Sequence, residues 1–399
     1  MSHPTPLWSH RLPAALLLMA PFDILASLAM DIYLPVVPAM PGILGTSPGI
    51  VQLTLSLYMV TLGAGQLVFG PVSDRIGRRP VLIFGGAVFA IASFALAASC
   101  SAVPFLLLRL LQGLGASAAL VALFATVRDV YAERPEGATI YSLFGSMLAF
   151  VPALGPIAGA LIADAYGWRA IFLLLGGLAS LAVLNALGQW HETRPVTATP
   201  SHRSFRPMFR SLSFWSYTLG FSAAMGTFFV FFSTAPRVLI DKAGYSELHF
   251  SLMFATVAVV MILTSRFARG SVGAWGIPGS LVRGMVMLLA GAILLGLGQT
   301  FAQPSFFSFV IPMWLMATGI VFAVSVTANG ALAEFEDRAG SAVALYFCIQ
   351  SLFVGIVGTL MVLTFDGDTA WPLVAYATVM AVLVLFALYL LRRNRRQVP

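Results

Sequence analysis

The chain has 399 residues, 59% hydrophobic and only 9% charged. Soluble domains carry about 25% charged residues, so the composition excludes an ordinary soluble protein and places the chain in the membrane class. The formal net charge of +7 does not indicate nucleic acid as a partner, because the basic residues, all Arg except Lys242, are scattered over short loops and the tail.

A spanning helix needs about 20 mostly apolar residues. Twelve stretches qualify, near 12–37, 50–70, 80–99, 104–127, 138–163, 169–190, 214–236, 250–266, 281–299, 305–329, 341–365 and 371–391. Backbone groups in hydrocarbon must be satisfied internally, so all are expected as helices; barrel strands would be about half as long and would alternate polar with apolar residues. The first run, Leu12 to Val37, is too long for a signal-peptide core and is expected as an uncleaved span. Between the second and third spans lies GPVSDRIGRRP, Gly70 to Pro80, expected as a charged, glycine-punctuated loop. The longest polar stretch, His191 to Ser213, contains Pro195, Pro200, Pro207 and four Arg residues. It divides the chain into an N-terminal six-helix bundle (1–190), a cytoplasmic linker (191–213) and a C-terminal six-helix bundle with a basic tail (214–399), an arrangement of two pseudo-symmetric bundles. No convincing repeat joins the halves, and Arg266–Arg283, at the place equivalent to the first charged loop, lacks its acidic residue.

Arg and Lys set orientation. With the N-terminus in the cytoplasm, only Arg169, Arg237 and Lys242 fall on the opposite side and Arg109 lies inside a span; every other basic residue, including Arg134, Arg203, Arg338 and the tail, is cytoplasmic. Both termini are therefore expected in the cytoplasm. Glu334, Glu336 and Asp337 form an acidic cluster in a predicted cytoplasmic loop, expected as a solvated face. Cys100 and Cys348 have no metal or disulfide spacing, and all five His residues lie in the tail, loops or segment ends. No metal and no cofactor is expected.

Asp23, Asp31 and Arg109 are the ionisable residues deepest in the spans. A charge at bilayer depth costs at least about 2.5–3.5 kcal/mol, so such groups face a wet cavity or one another. Asp23 and Asp31 are eight residues apart, about 12 Å of rise and 80° of rotation, so both can border one cavity, and Asp31 matches Arg109 in depth. A permanent Asp31–Arg109 pair that only sets helix register is one reading; a carboxyl group that loads and releases a proton as its surroundings alternate between dry and cation-facing is the other. The second half has no deep ionisable group. Its aromatic and uncharged polar residues Phe228, Phe232, Asn329, Tyr346 and Gln350, with Tyr58 and Gln112 of the first half, are candidates to line a ligand cavity. Interhelical packing is the alternative for the FFVFF run, since consecutive helical residues point to different faces.

Four motifs carry a family resemblance. The first charged segment supplies Gly70, Asp74, Arg75, Gly77, Arg78 and Arg79 and resembles the signature loop of the major facilitator superfamily. RLLQGLGAS, with Arg109 and Gln112, resembles its fourth-helix motif. GPIAGA, with Gly155, Pro156 and Gly159, resembles the fifth-helix motif of its drug–proton antiporters, departing from it at Ala160 and Val151. MDIYLP, Met30 to Pro35, resembles the bicyclomycin/chloramphenicol-resistance branch, and further segments along nearly the whole chain are similar to chloramphenicol/florfenicol exporters. The resemblance implies an all-α membrane protein of the major facilitator fold. It implies proton-driven efflux of amphiphilic drugs, phenicols first, from the bacterial inner membrane, with protons as the coupling ion, Asp23 and Asp31 as coupling carboxylates, Arg109 as their charge partner, and the signature loop as a cytoplasmic gate with Arg128 as the partner of Asp74. Nothing demands more than a monomer. An uptake symporter of the same fold is barely separated by residue chemistry alone. A membrane enzyme or receptor is a third class, and an enzyme should show a nucleophile–base or metal constellation that is missing from this sequence.

Overall fold

A computed structural model describes residues 12–131, 135–194, 205–335 and 339–397. Arg134, Arg203, Pro195, Pro200, Glu336, Asp337 and Arg338 lie outside the described residues. The described residues are helical, with short turns and no strand. The first half gives α1 (Leu12–Asp31), α2 (Pro48–Ile76), α3 (Arg78–Ala98), α4 (Ala102–Tyr131), α5 (Pro135–Tyr166) and α6 (Trp168–Gln189). The second half gives α7 (Leu212–Pro236), α8 (Glu247–Ala268), α9 (Gly270–Phe301), α10 (Ile311–Leu332), α11 (Ala342–Thr364) and α12 (Trp371–Gln397). Among the described residues eleven helices are long and apolar enough to cross a membrane, and α5 adds the shorter apolar run Phe150–Tyr166. The protein therefore has 11 to 12 membrane-spanning helices.

Two departures from the expected boundaries have local causes. The first span does not run as one α-helix to Val37. After Asp31 it tightens into a 3-10 segment, Leu34–Ala39, where Pro35 and Pro38 remove backbone donors. The charged segment after the second span is not a loop either: α2 continues as helix through Pro71 to Ile76, and α3 begins at Arg78. Gly77 alone joins them, with φ at 110°, a backbone conformation that suits glycine. A second glycine, Gly276 (φ 68°, ψ 173°), breaks the otherwise continuous helical stretch Glu247–Phe301.

Two compact units result. The first comprises Met1–Tyr33, Gly42–Thr46 and Leu57–Ser201. Its core packs Ala15, Leu18, Met19 and Phe22 of α1 with Val81 and Leu82 of α3, Ala118, Ala122 and Leu123 of α4, and Ala182, Ala186 and Trp190 at the end of α6. The second comprises Leu34–Pro41, Ser47–Ser56 and His202–Pro399. The beginning of α2 is held in it by polar contacts: Gln52 Nε2 donates to Ser233 Oγ at 3.0 Å, and the Ser56 and Thr359 hydroxyls hydrogen-bond. In the same unit Arg237 pairs with Asp368, which lies 3.4 Å from Lys242, so the two basic residues share a carboxylate. Ser211 caps α7 by accepting from Phe214 N and donates to exposed Glu334.

The conformation of Gly276 lies in a region open essentially to glycine, where another residue costs about 1–3 kcal/mol. Gly276→Ala is expected to lower the thermal unfolding midpoint in detergent by several degrees. Gly273→Ala, at a position with open space around it, should leave the midpoint unchanged. Equal midpoints for the two variants would show that the break carries no strain for alanine.

Candidate functional site

The first unit buries a guanidinium. Arg109 of α4 is fully excluded from solvent. Its Nη1 donates to Gln112 Oε1 at 2.7 Å and to the Ala29 carbonyl at 3.1 Å. The ring centroids of Tyr33 and Tyr58 lie 5.1 and 4.8 Å from its guanidinium carbon. The irregular end of α1 makes this possible. Tyr33 N–H turns to the Met30 carbonyl at 3.3 Å, which leaves the Ala29 carbonyl open to a donor from another helix. One turn earlier, Tyr58 of α2 donates its hydroxyl to the Ala26 carbonyl at 2.5 Å, which aims its ring at Arg109. Desolvated cation–π contacts are worth about 2 kcal/mol and hydrogen bonds to a charge about 1.5–3 kcal/mol. Together they are of the order of the several kcal/mol that burying an ion costs.

Asp31 and Asp23 are both buried, at 5% and 2% exposure. The permanent Asp31–Arg109 pair is not found among the ion pairs of the described residues. The physical reason is the approach of α5: a Cβ on Gly155 would lie 2.7 Å from the Asp31 Cβ, and one on Gly159 would overlap the Ile32 carbonyl. The fifth-helix motif thus packs directly on the end of α1, beside buried Pro156, while Arg109 reaches α1 at Ala29. Asp23 lies about 4.5 Å of helical rise before Ala26, and its Oδ2 is buried with no hydrogen-bond partner among the described residues.

The signature segment forms a second cluster in the same unit. Arg78, 3% exposed, donates Nη1 to Asp74 at 2.5 Å and Nε to Asp129 of α4 at 2.8 Å, with Ser73 Oγ at 3.2 Å from Nη1. Arg128 is not the partner of Asp74: it is 59% exposed, and among the described residues its ion pair is with Asp129, at 3.5 Å. The turn at Gly77 places Arg78 at the buried start of α3, and that residue takes the carboxylate instead. Glu192, just beyond α6, accepts from the first backbone N–H groups of α3, Arg78 at 2.8 Å and Arg79 at 3.2 Å. It also accepts from Thr193 and Arg194, each at 3.0 Å. An anion at a helix N-terminus satisfies orphan donors and the positive end of the dipole. A Cβ on Gly77 would collide with that carboxylate. Arg79 donates to the Leu187 carbonyl at 2.8 Å, and Arg194 to the carbonyl of exposed Arg75. Gly70 sits in the α2 helix with open space around it.

The residues expected to line a drug cavity separate. Tyr58 and Gln112 are committed to Arg109. In the second unit Phe228 and Phe232 both lie 6.1 Å from Phe254 of α8, and Phe231 stacks on it at 5.3 Å, so the FFVFF run is largely helix packing. Tyr346 stacks on Phe221 at 4.8 Å and donates to Thr327 Oγ1 at 2.9 Å. Gln350 is buried and accepts from Ser351 at 3.3 Å; Asn329 is exposed. Sequence reasoning missed Tyr33, Ser93, Asp129 and Glu192. Glu192 carries a signal, an acid between the last apolar turn of α6 and a proline-bearing linker; a serine within an apolar span carries none.

A two-unit helical membrane protein with buried charge on its first and fourth helices has the architecture of a membrane transporter. The backbone is similar to a crystal structure of peptide transporter POT in complex with sulfate, with a TM-score of 0.77 at 13% identity, covering 96% of this chain and 94% of that one; the likeness is one of fold. Residues 23–359 match the Major Facilitator Superfamily, and the chain belongs to that family of transporters, not to an enzyme class. It is 50% identical over 380 residues, 95% of this chain and 90% of the relative, to a chloramphenicol resistance protein of Pseudomonas aeruginosa. It is 26% identical over 353 residues, 86% of this chain and 87% of the relative, to multidrug resistance protein D of Escherichia coli strain K12.

Removing one partner from a buried charge pair costs about 3–5 kcal/mol, whereas an exposed partner contributes about 0–1 kcal/mol. Asp129→Ala is therefore expected to lower the unfolding midpoint well below that of Asp74→Ala, measured on purified protein in detergent. The reverse order would show that Asp129 is not the partner that holds Arg78.

Proposed function

We propose that this chain exports amphiphilic antibiotics, phenicols such as chloramphenicol and florfenicol among them, in exchange for protons and by alternating access. It works as a monomer in the bacterial inner membrane with both termini in the cytoplasm. The observation that carries this reading is the 50% identity, over 95% of the chain, to a protein named for chloramphenicol resistance. The geometry supports a proton-coupled mechanism. Asp23 is a buried carboxyl whose Oδ2 has no hydrogen-bond partner among the described residues, in the same unit as a fixed guanidinium. Such a group binds a proton when dry and releases it when a cation or water reaches it.

In this scheme Asp23 carries the coupled proton, with Asp31 as a second titrating group at the α1–α5 contact. Drug entry competes with the protonated state. Arg109 supplies the fixed positive charge that makes one arrangement of α1 favour the ionised carboxylate. Neutral phenicols need an apolar cavity with a few polar anchors and no full counter-ion, and Phe228, Tyr346 and Gln350 offer that chemistry in the second unit. The Gly77 cluster serves as the cytoplasmic gate element.

The test is chloramphenicol accumulation in efflux-deficient cells, with and without a protonophore. Wild type is expected to lower accumulation several-fold and the protonophore to abolish the effect. Asp23→Asn and Arg109→Ala should insert normally and fail to export. Normal export by Asp23→Asn at normal expression would remove Asp23 from the coupling site. Failure of Arg109→Ala to accumulate in the membrane would make Arg109 architectural.

A further inference from the structure

We infer that Ser93, in the C-terminal half of α3, is a positioning residue for Arg109 and acts through Gln112; the inference rests on the reading of Arg109 as part of the transport site. Ser93, Gln112 and Arg109 are all fully buried. Gln112 Nε2 donates to Ser93 Oγ at 2.8 Å, and Ser93 Oγ donates to the Phe89 carbonyl at 2.7 Å. The direction of every bond in this relay follows from one fact: a guanidinium has five donors and no acceptor. Gln112 must therefore turn its carboxamide oxygen to Arg109, 2.7 Å away. Its NH₂ group then points to the opposite side, where Ser93 must accept. A hydroxyl that accepts from Gln112 has its own proton free for the Phe89 carbonyl one turn back.

The relay fixes a choice that Gln112 cannot make alone. A carboxamide is nearly symmetric in shape, and the flipped amide would set N–H against N–H at Arg109. Arg109 and Gln112 lie three residues apart on one face of α4, so their side chains meet whichever way the amide points. Ser93, from another helix, decides the orientation. With the serine hydroxyl removed, the amide NH₂ is left unsatisfied in a dry interior, the amide rotates, and Arg109 loses the acceptor that holds it against the Ala29 carbonyl of α1. Among the described residues the hydrogen bonds of Ser93 go to Gln112 and the Phe89 carbonyl, so its effect on Arg109 passes through the amide.

The experiment measures chloramphenicol transport into everted membrane vesicles, with rates expressed per unit of folded protein from fluorescence-detected size exclusion of a tagged chain. Ser93→Ala is expected to lower the rate about three- to fifteen-fold, the range one interhelical hydrogen bond supports in a membrane. Ser93→Cys, close in volume but a weak acceptor, should fall with it, and Ser93→Thr, which keeps the hydroxyl, should return the rate to near wild type. The double variant Ser93→Ala/Gln112→Ala should be no slower than Gln112→Ala alone, since the two residues act in series. A wild-type rate for Ser93→Ala beside an inactive Arg109→Lys would overturn the inference, as would additive losses in the double variant. A wild-type rate for Arg109→Lys would instead overturn the reading of Arg109 on which it rests.

Discussion

A guanidinium cut off from water must find all of its compensation in the protein, and that requirement organises the first unit around Arg109. Two tyrosine faces, a glutamine oxygen and a main-chain carbonyl meet it from α1, α2 and α4. The carbonyl is available only because α1 stops being a regular helix after Asp31, ahead of two prolines. The irregular end of α1 and the buried cation therefore explain each other. Fixed charge beside unwound backbone at membrane depth is tolerated where it is buried in protein or lines a cavity, and it marks a functional position more than a stabilising one.

The same end of α1 carries Asp31, and α5 rests on it through Gly155 and Gly159. The end of α1 thus contacts both Arg109 and α5 directly. The Gly77 cluster is built by different physics. There a carboxylate, Glu192, closes the start of α3, and a buried arginine, Arg78, ties the turn after Gly77 to α4 through Asp129. That cluster ties α2, α3, α4 and the end of α6 together, while elsewhere in the same unit Asp23 of α1 has a buried carboxyl oxygen with no hydrogen-bond partner among the described residues.

Much of this was legible in the sequence, for physical reasons. Runs of about 20 apolar residues can only be spanning helices, and the deep ionisable residues were few enough to be named individually. Gly77 and the arginines around it announced a special connection, but periodicity could not show that the helix continues through Pro71, because a proline among charged residues reads as loop. The partner of Asp74 was misassigned to Arg128 for the same reason: with a loop assumed, Arg78 had no fixed direction, whereas a one-residue turn at Gly77 between two helices sets Arg78 at the buried start of α3. No Asp31–Arg109 ion pair occurs among the described residues, because matching depth does not fix azimuth, and Gly155 of α5 packs against the Asp31 Cβ. Ser93 and Asp129 were invisible because their roles depend on which neighbouring helix lies opposite.

The central claim is that a proton held by a carboxyl of α1 is exchanged for the drug. The most direct measurement is proton movement in proteoliposomes of purified protein carrying an internal pH dye, driven only by an imposed chloramphenicol gradient. The account expects protons to move against the direction of the drug in wild type and to stop moving with Asp23→Asn. Drug movement in wild type with no accompanying proton flux would contradict it.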